Sequence, residues 1–542
     1  MTLISLLRRE AVVSRGDVLL AILASGAANA VILAVINEAA RSVGYETLNL
    51  RLLAIFVVVM VIYVIGLKYT FDAATLTLEH MLARLRVRIV RKIERSELGL
   101  LDQIDKARLF QSLIRGTALI SDQQGLLVAA AHSLVMVACA AVYVMTLSFT
   151  AFLTILVVVA AGILTYLSRQ RDMVRLIQRS SAEELRLVWA TTDLIDGLKE
   201  IKLSRARGRD VLADLQITAA SLRDAKIATT NLYNNNAVFS QCFFYMLAAT
   251  IVFVLPRLVE DFAGTAPELV AVVLFIIGPL STIVSAAPAY TQANQAADTL
   301  AQLEADIDRA TGDLGGDAAP EPLPFSKEIR CRRLEFRYPS DDAPSFSIGP
   351  IDLMIAHGKI TMMVGGNGSG KTTFLKVLAG LYAPTAGGLS VDDEPVSPRV
   401  LQNYRELFGA IYTDFHLFRK LYGVPAEAGA IHAEFDRMDI AGKVAYGADG
   451  FSTLDLSTGQ RKRVAMAVSL LEDRPVLIFD EWAAEQDPDF RRFFYERLLP
   501  ELRSRGKTLI VATHDDRFFH LADTVVTMEQ GRIRSTRRKA KP

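Results

Sequence analysis

The sequence predicts a multidomain chain: an all-α domain of six transmembrane helices followed by an α/β domain built around a phosphate-binding P-loop. Two observations predict it. Apolar runs near 20 residues long are confined to roughly the first 290 of the 542 residues, and a glycine-rich octapeptide lies between a β-like run and a helical one further on. The composition is 51% apolar, and Lys+Arg 60 against Asp+Glu 59 gives a net charge of +1. No global field therefore argues for a nucleic-acid partner. The length suits several domains. It excludes a disulfide-stapled mini-protein, a disordered chain and a fibrous repeat. Cys139, Cys242 and Cys331 are too far apart for a disulfide framework or zinc-ligand spacing. The first two sit in apolar runs and read as buried thiols.

Six segments are long enough to cross a hydrocarbon core roughly 30 Å thick. They cover about residues 18–36, 51–70, 126–147, 149–167, 237–255 and 268–287. Backbone groups in lipid must bond within their own segment, so each is a helix. Only the turn at Leu147-Ser148-Phe149 separates the third from the fourth, and Gly278-Pro279 interrupts the sixth. Basic residues gather after the second span (Arg84, Arg86, Arg88, Arg91, Lys92, Arg95) and after the fourth (Arg171, Arg175, Arg179, Arg186, Lys199, Lys202, Arg205). The other loops carry only Arg41, Arg51 and Arg257. Positive charge stays on the cytoplasmic side, so both termini are expected there, in a multi-pass protein of the cell (inner) membrane. Arg8, Arg9 and Arg15 agree. Residues 1–16 lack the apolar core and small-residue site of a cleavable signal, so the first span reads as a retained anchor. The two basic loops mix apolar and charged positions at helical spacing, for example over 82–97. They read as helical extensions of the spans, passing the headgroups of a lipid bilayer.

A boundary falls at 305–328, rich in Gly, Pro, Asp and Ala and without apolar periodicity, which is linker chemistry. The transmembrane domain is thus expected over 1–304 and the α/β domain over 329–542. In the latter, β-like runs at 335–338, 360–364, 476–479 and 508–512 alternate with helical patterns, as in a mainly parallel sheet.

Gly365-Gly366-Asn367-Gly368-Ser369-Gly370-Lys371-Thr372 fits G-x-x-x-x-G-K-[ST], after a β run and before a helical one. Its glycines let successive N–H groups curl around phosphate oxygens, and the helix that follows adds a favourable dipole. Lys371 is expected on the β/γ-phosphates and Thr372 on Mg²⁺, with Thr373 in the same nucleotide-binding turn. In Val476-Leu477-Ile478-Phe479-Asp480-Glu481 a strand buried on both faces ends in two carboxylates. Asp480 is expected to hold Mg²⁺, and Glu481 to act as general base on the attacking water. ATP and Mg²⁺ are the expected cofactors.

On these motifs the sequence resembles the ATP-binding cassette (ABC) family. Leu456-Ser457-Thr458-Gly459-Gln460, followed by Arg461-Lys462-Arg463, is similar to the family signature. The resemblance implies that Ser457, Thr458, Gly459 and Gln460 serve the γ-phosphate held by another subunit, by helix N-terminus anion logic. It also implies a switch histidine at His514, a D-loop end at Asp487 and an adenine-stacking aromatic at Tyr338. A strand-core tyrosine is the other reading of Tyr338. The family usually places a metal-touching glutamine where this chain has Thr413, with Asp414 next; either is expected near the metal. TDFHLF, LSTGQRKR, DEWAAEQDP and THDD narrow the resemblance to bacterial cyclic-peptide and siderophore exporters, the group with syringomycin, pyoverdine and microcin transporters. LIDGLKEIKL, from Leu194 to Leu203, is similar to that branch's second cytoplasmic loop.

A signature that serves a neighbour's nucleotide makes one chain half a machine, so a homodimer with twelve spans and two composite ATP sites is expected. The loop segments 98–105 and 203–215 are expected to dock on the nucleotide domains and transmit their movement. Asn29, Asn37, His132, Asn234, Asn235, Asn236, Gln241, Gln292 and Asn294 are available in or near the spans. They could line a cargo cavity or serve as headgroup-level and interhelical polar groups. The expected cargo is a peptide-like small molecule exported at the expense of ATP. A lipid or glycan flippase and an ATP-driven siderophore importer are the alternatives.

Overall fold

The structure, a computed structural model, describes residues 15–41, 49–101, 106–168, 170–257, 262–310, 323–338 and 346–539. Arg8, Arg9, Arg169, residues 102–105 and the linker core 311–322 lie outside the described residues. The chain divides into two compact units, Lys92–Gln103 with Ile307–Pro542 and the remainder, Met1–Arg91 with Ile104–Asp306.

In the helical unit, α1 (Arg15–Arg41) and α2 (Leu50–Glu94) carry the first two expected spans; the short helix α3 (Leu98–Leu101) that follows belongs to the second unit. Then come α4 (Thr117–Leu147), α5 (Phe149–Ser168), α6 (Gln170–Asp196), α7 (Leu198–Leu203), α8 (Arg205–Ala249) and α9 (Phe262–Ala310). Among the described residues, six helices are long and apolar enough to cross a membrane. At 1.5 Å per residue the 45-residue α2 is about 68 Å long, twice what a hydrocarbon core needs. The basic segment 84–94 thus continues its span as one helix. Ser148 adopts extended backbone (φ −161°, ψ 118°) and breaks α4 from α5. Gly278-Pro279 breaks nothing: α9 runs through Pro267, Pro279 and Pro288. The missing N–H groups are tolerated where neighbouring helices and local adjustments re-satisfy the backbone.

The helices meet through small and polar contacts as well as apolar ones. On Gly26 of α1 a Cβ would lie 2.5 Å from Val135 Cγ1 of α4, so only glycine permits this approach. One position along, Ser25 Oγ lies 3.0 Å from His132 Nδ1, and Asn29 Nδ2 lies 3.0 Å from Met136 Sδ. His132 and Asn29 thus join helices, the interhelical alternative of the sequence reading. Leu33, Ala140, Val144, Ala151, Leu247, Ile251 and Val272 form a shared core. The most apolar window of α2 has no residue buried, and its Val57, Val58, Ile62 and Ile65 face outward. An apolar exterior of that extent is what lipid solvates.

The second unit has two sheets. One is antiparallel, of β1 (Glu328–Arg337), β2 (Ser347–Ala356), β4 (Ala386–Val391) and β5 (Glu394–Pro395), in the order β2-β1-β4-β5. The other contains β3 (Ile360–Val364), β6 (Phe408–Ile411), β9 (Val476–Asp480), β10 (Thr508–Ala512), β11 (Thr524–Glu529) and β12 (Arg532–Arg538). Its order is β12-β11-β3-β10-β9-β6, parallel except for the edge strand β12. A two-strand ladder of β7 (Tyr446–Gly447) and β8 (Gly450–Phe451) lies apart. The expected parallel sheet is present. The antiparallel sheet goes beyond the sequence reading, which saw only the end of β1.

Alternation explains the apolar strands. Leu477, Phe479, Leu509 and Val511 enter one core, and Val476, Ile478, Ile510 and Ala512 enter the other. A sheet covered on both faces has no polar side. Residues 305–310 of the expected linker are the end of α9, and β1 starts at Glu328. Leu98 packs on the core of this unit, and a Cβ on Gly99 would lie 3.3 Å from Tyr382 Cδ1.

Asp392, in the β4–β5 turn, fastens the start of β1. It accepts from the backbone N–H of Ser326, Lys327 and Glu328 and from the Ser326 hydroxyl, at 2.6–2.9 Å. Partial desolvation raises its pKa, and these bonds outweigh it, bringing the carboxyl from 3.8 to about 2. A depressed carboxyl stabilises the fold above its unfolded pKa and loses that contribution as pH falls toward its folded value. Asp392→Asn should therefore melt at lower temperature than wild type at pH 6. The difference should shrink from about pH 4 downward and vanish near pH 2, read by thermal unfolding of the detergent-solubilised protein.

Candidate nucleotide site

Three neighbouring parallel strands end on one edge of the sheet. Ala512 of β10 pairs with Met363 of β3 on one side and with Asp480 of β9 on the other. The segments that follow them carry the P-loop, His514 and the Asp480-Glu481 pair.

The P-loop leads from β3 into α10 (Lys371–Leu378). Gly370 is left-handed (φ 97°), and a Cβ there would meet Ile348 Cγ2 at 2.9 Å. Gly366, Asn367 and Gly368 form the exposed lip, and Ser369 is buried with its Oγ unpartnered. Lys371, 5% exposed, donates to the carbonyls of Gly365 at 2.8 Å and Gly366 at 3.2 Å. Thr372 Oγ1 donates to Asp480 Oδ2 at 2.7 Å. Asp480 is 1% exposed, and its Oδ1 has no hydrogen-bond partner. Burial raises its pKa, against the pull of the Thr372 hydrogen bond.

A buried carboxylate with one free oxygen beside a hydroxyl is a donor set for a hard divalent cation. Among the described residues no group of three or more His, Cys, Asp or Glu could cage a metal alone. Mg²⁺ needs no such cage, since it takes one or two carboxylates plus substrate phosphates. The residues present fit the ion, with Thr372 and Asp480 as its protein ligands.

Glu481 is left-handed (φ 49°, ψ 33°), and its N–H donates to Ala512 O at 3.1 Å. Its Oε1 lies 2.8 Å from His514 Nε2 and 3.5 Å from Lys371 Nζ. Motifs spread over more than a hundred residues of sequence thus converge on one carboxylate. Tyr338 OH lies 3.2 Å from Thr373 Oγ1. The Tyr338 ring stands edge-on to Phe336 and Tyr382, half-buried beside the first turn of α10.

The signature residues begin α11 (Thr458–Leu471). Ser457 caps it: Gln460 N–H donates to Ser457 Oγ at 3.3 Å, and Ser457 N–H donates to Gln460 Oε1 at 3.1 Å. Gln486 Nε2 donates to the Gly459 carbonyl at 3.1 Å. Asp487 caps α12 (Pro488–Phe493) through Phe490 N–H at 2.9 Å and pairs with Arg463. The Phe490 bond comes first among the causes that hold its carboxyl below the usual range. Ser457 and Thr458 are exposed, and the bonds named here keep the signature to the start of α11 and the segment 485–487.

Thr413 is exposed, and Asp414 accepts from Lys376 of α10 at 2.9 Å. The Lys376 ammonium also lies 5.7 Å from the Tyr412 ring centre. Burial pushes the Tyr412 hydroxyl up, and the Asp480 and Asp414 carboxylates add to it; the Asp414 charge also helps to raise the Asp480 carboxyl. Sequence reasoning missed Lys376, which has the spacing of an ordinary helix-surface lysine.

The helical unit holds a cavity of about 510 Å³ with apolar and polar walls. It is lined by Arg115, Ser181, Lys226, Tyr233, Gln292 and Gln295, among others. Gln292 donates to Tyr233 OH at 3.0 Å, and Gln295 Oε1 is buried without a partner. Of the three consecutive asparagines only Asn236 is buried.

Residues 348–484 match the model of the ABC transporter family. That match lies within the α/β unit, and six helices among the described residues before it are long and apolar enough to cross a membrane. More particularly, the chain is 37% identical over 359 residues to "ATP-binding protein SyrD" of Pseudomonas syringae pv. syringae, covering 63% of each chain. Over 273 residues it is 29% identical to an ATP-dependent lipid A-core flippase of Burkholderia orbicola (strain AU 1054), covering 48% of this chain and 44% of that one. The chain thus spans less than two thirds of the length of these curated relatives. Its fold matches the structure of a bacterial Atm1-family ABC exporter with ATP bound, with a TM-score of 0.79 at 18% identity over 98% of this chain and 95% of that one.

Asp480→Asn should leave nucleotide binding in EDTA within about threefold of wild type. It should abolish the gain in affinity that Mg²⁺ gives the wild type, measured by titration of a fluorescent ATP analogue.

Proposed function

We propose that this chain is an ATP-driven exporter of a cyclic peptide or peptide siderophore, working as a homodimer in the cell (inner) membrane with both termini cytoplasmic. The observation that carries its energetics is the convergence of His514, Lys371 and Glu481 beside the Thr372–Asp480 pair. The cargo reading rests on the motif resemblance and on the likeness to SyrD.

Lys371 exchanges its bonds to the loop carbonyls for the β- and γ-phosphates. The P-loop N–H groups and the α10 dipole hold the anion. Thr372 and Asp480 would hold Mg²⁺, which would neutralise phosphate charge. Glu481 takes a proton from the attacking water, and His514 holds that carboxylate in place while contacting the γ-phosphate. Tyr338 stacks on the adenine. Thr413 or Asp414 would lie near the metal, and Lys376 restrains Asp414. Ser457, Thr458, Gly459 and Gln460 close over the partner's nucleotide, and Asp487 completes the same face. ATP between the two cassettes draws them together, and hydrolysis parts them. The segments 98–105 and 203–215 carry that movement to the spans. Leu203 is 89% exposed at a break in the helix, as a docking residue would be.

In the helical extensions of the spans, the cavity suits a molecule that carries both apolar groups and amides. It offers guanidinium, ammonium, phenol and carboxamide groups within a volume typical of small-molecule sites. The flippase reading draws on the lipid A-core relatives. Reconstituted into liposomes, the protein should show ATPase stimulation and vesicle uptake with cyclic peptides or siderophores. Stimulation and transbilayer movement with lipids alone would replace the cargo assignment by a flippase.

Glu481→Gln should bind ATP, hold the dimer closed and lower kcat by about 10²–10⁴, as loss of a general base does. ATPase assay and cross-linking at the cassette interface check this, and unchanged hydrolysis removes Glu481 from the chemistry.

A further inference from the structure

The side chain of Lys462 has no role in the scheme above, yet it is 3% exposed, an unusual environment for a lysine. It projects from the second turn of α11, the signature helix. Its Nζ donates to the backbone carbonyl of Glu481 at 3.1 Å and lies 3.5 Å from the Glu485 carboxylate. The contact is returned: the Trp482 indole N–H donates to the Lys462 carbonyl at 2.9 Å. Trp482 is 1% exposed, its ring 4.7 Å from that of Phe494.

These two bonds bracket a strained residue. A non-glycine residue in left-handed backbone costs about 1–3 kcal/mol and persists where its surroundings over-determine it. At Glu481 the N–H is bound to Ala512 O, the carbonyl to Lys462, and the next side chain to the Lys462 carbonyl. This turn of the backbone aims the carboxylate at His514 and Lys371.

We propose that Lys462 is a positioning residue for Glu481: its ammonium locks the general base into the left-handed turn and ties it to the signature helix of the same chain. The inference rests on the reading of Glu481 as general base. Because α11 starts with the residues that serve the neighbour's nucleotide, the lock joins the base of one ATP site to the signature of the other as a single body. Lys462 itself touches no nucleotide, so its loss alters the aim of the carboxylate rather than the binding of ATP.

A double-mutant cycle on the full-length protein in lipid nanodiscs tests this, with ATP affinity and single-turnover ATP hydrolysis measured separately. Lys462→Met should slow hydrolysis about 10- to 100-fold, the penalty of a misplaced catalytic group, with ATP affinity within about threefold. Lys462→Arg, which retains a buried donor, should recover most of the rate. In the Glu481→Gln background Lys462→Met should cost nothing further, since the group it aims is already gone. Should Lys462→Met not assemble, Trp482→Phe keeps the ring and removes the indole donor, and the same non-additivity is expected of it. Equal losses in both backgrounds, or wild-type hydrolysis by Lys462→Met, would overturn the assignment. Failure of the underlying reading looks different: Glu481→Gln alone would then hydrolyse ATP at the wild-type rate.

Discussion

The parallel register of β3, β10 and β9 is the constraint on which the nucleotide site depends. Parallel neighbours end on the same edge, so the segments after them share one crevice. Pairing Ala512 between Met363 and Asp480 sets the P-loop, His514 and the carboxylate pair side by side. Antiparallel pairing would send one of these segments to the far edge. The strands hold their register because each alternates between two apolar cores. A one-residue slip would exchange the faces of Leu477 and Ile478 and misfit both cores.

Within that crevice, charge is held out of balance. Burying a carboxylate is costly unless it is paired. Asp480 has one oxygen on the Thr372 hydroxyl and the other unpartnered. Lys371 bonds to carbonyls of its own loop, with the Glu481 carboxylate 3.5 Å away. Each of these arrangements is complemented by a phosphate anion with a divalent cation. The preorganisation lies in the protein: the strained turn at Glu481, the left-handed Gly370 and the capping box at Ser457 fix donors and acceptors in advance.

The helical unit solves the opposite problem. Its exterior is apolar, so burial of apolar surface does not by itself hold helices together in lipid, and close approach and polar contacts must. Gly26 against Val135, and Ser25 against His132, supply both at one crossing. Tyr233, Gln292 and Gln295 line a cavity in the helical extensions beyond the apolar spans.

The sequence by itself determined the apolar helices and the α/β character of the second unit, and it singled out the P-loop, the Asp480-Glu481 pair, the signature start and His514 as candidates. Length and apolarity dictate a membrane helix, and phosphate chemistry demands those residue types at those spacings. It did not determine the antiparallel sheet, whose β1 and β2 are half-exposed and carry mixed side chains, nor the continuity of α9 through its prolines. Tertiary structure alone brought Glu481, His514 and Lys371 together. It also engaged Asp414 with Lys376 and buried Lys462 beneath the Glu481 turn. Their partners are remote in sequence or lie on the backbone, and a contact decided by strand register and helix docking leaves no local pattern to read.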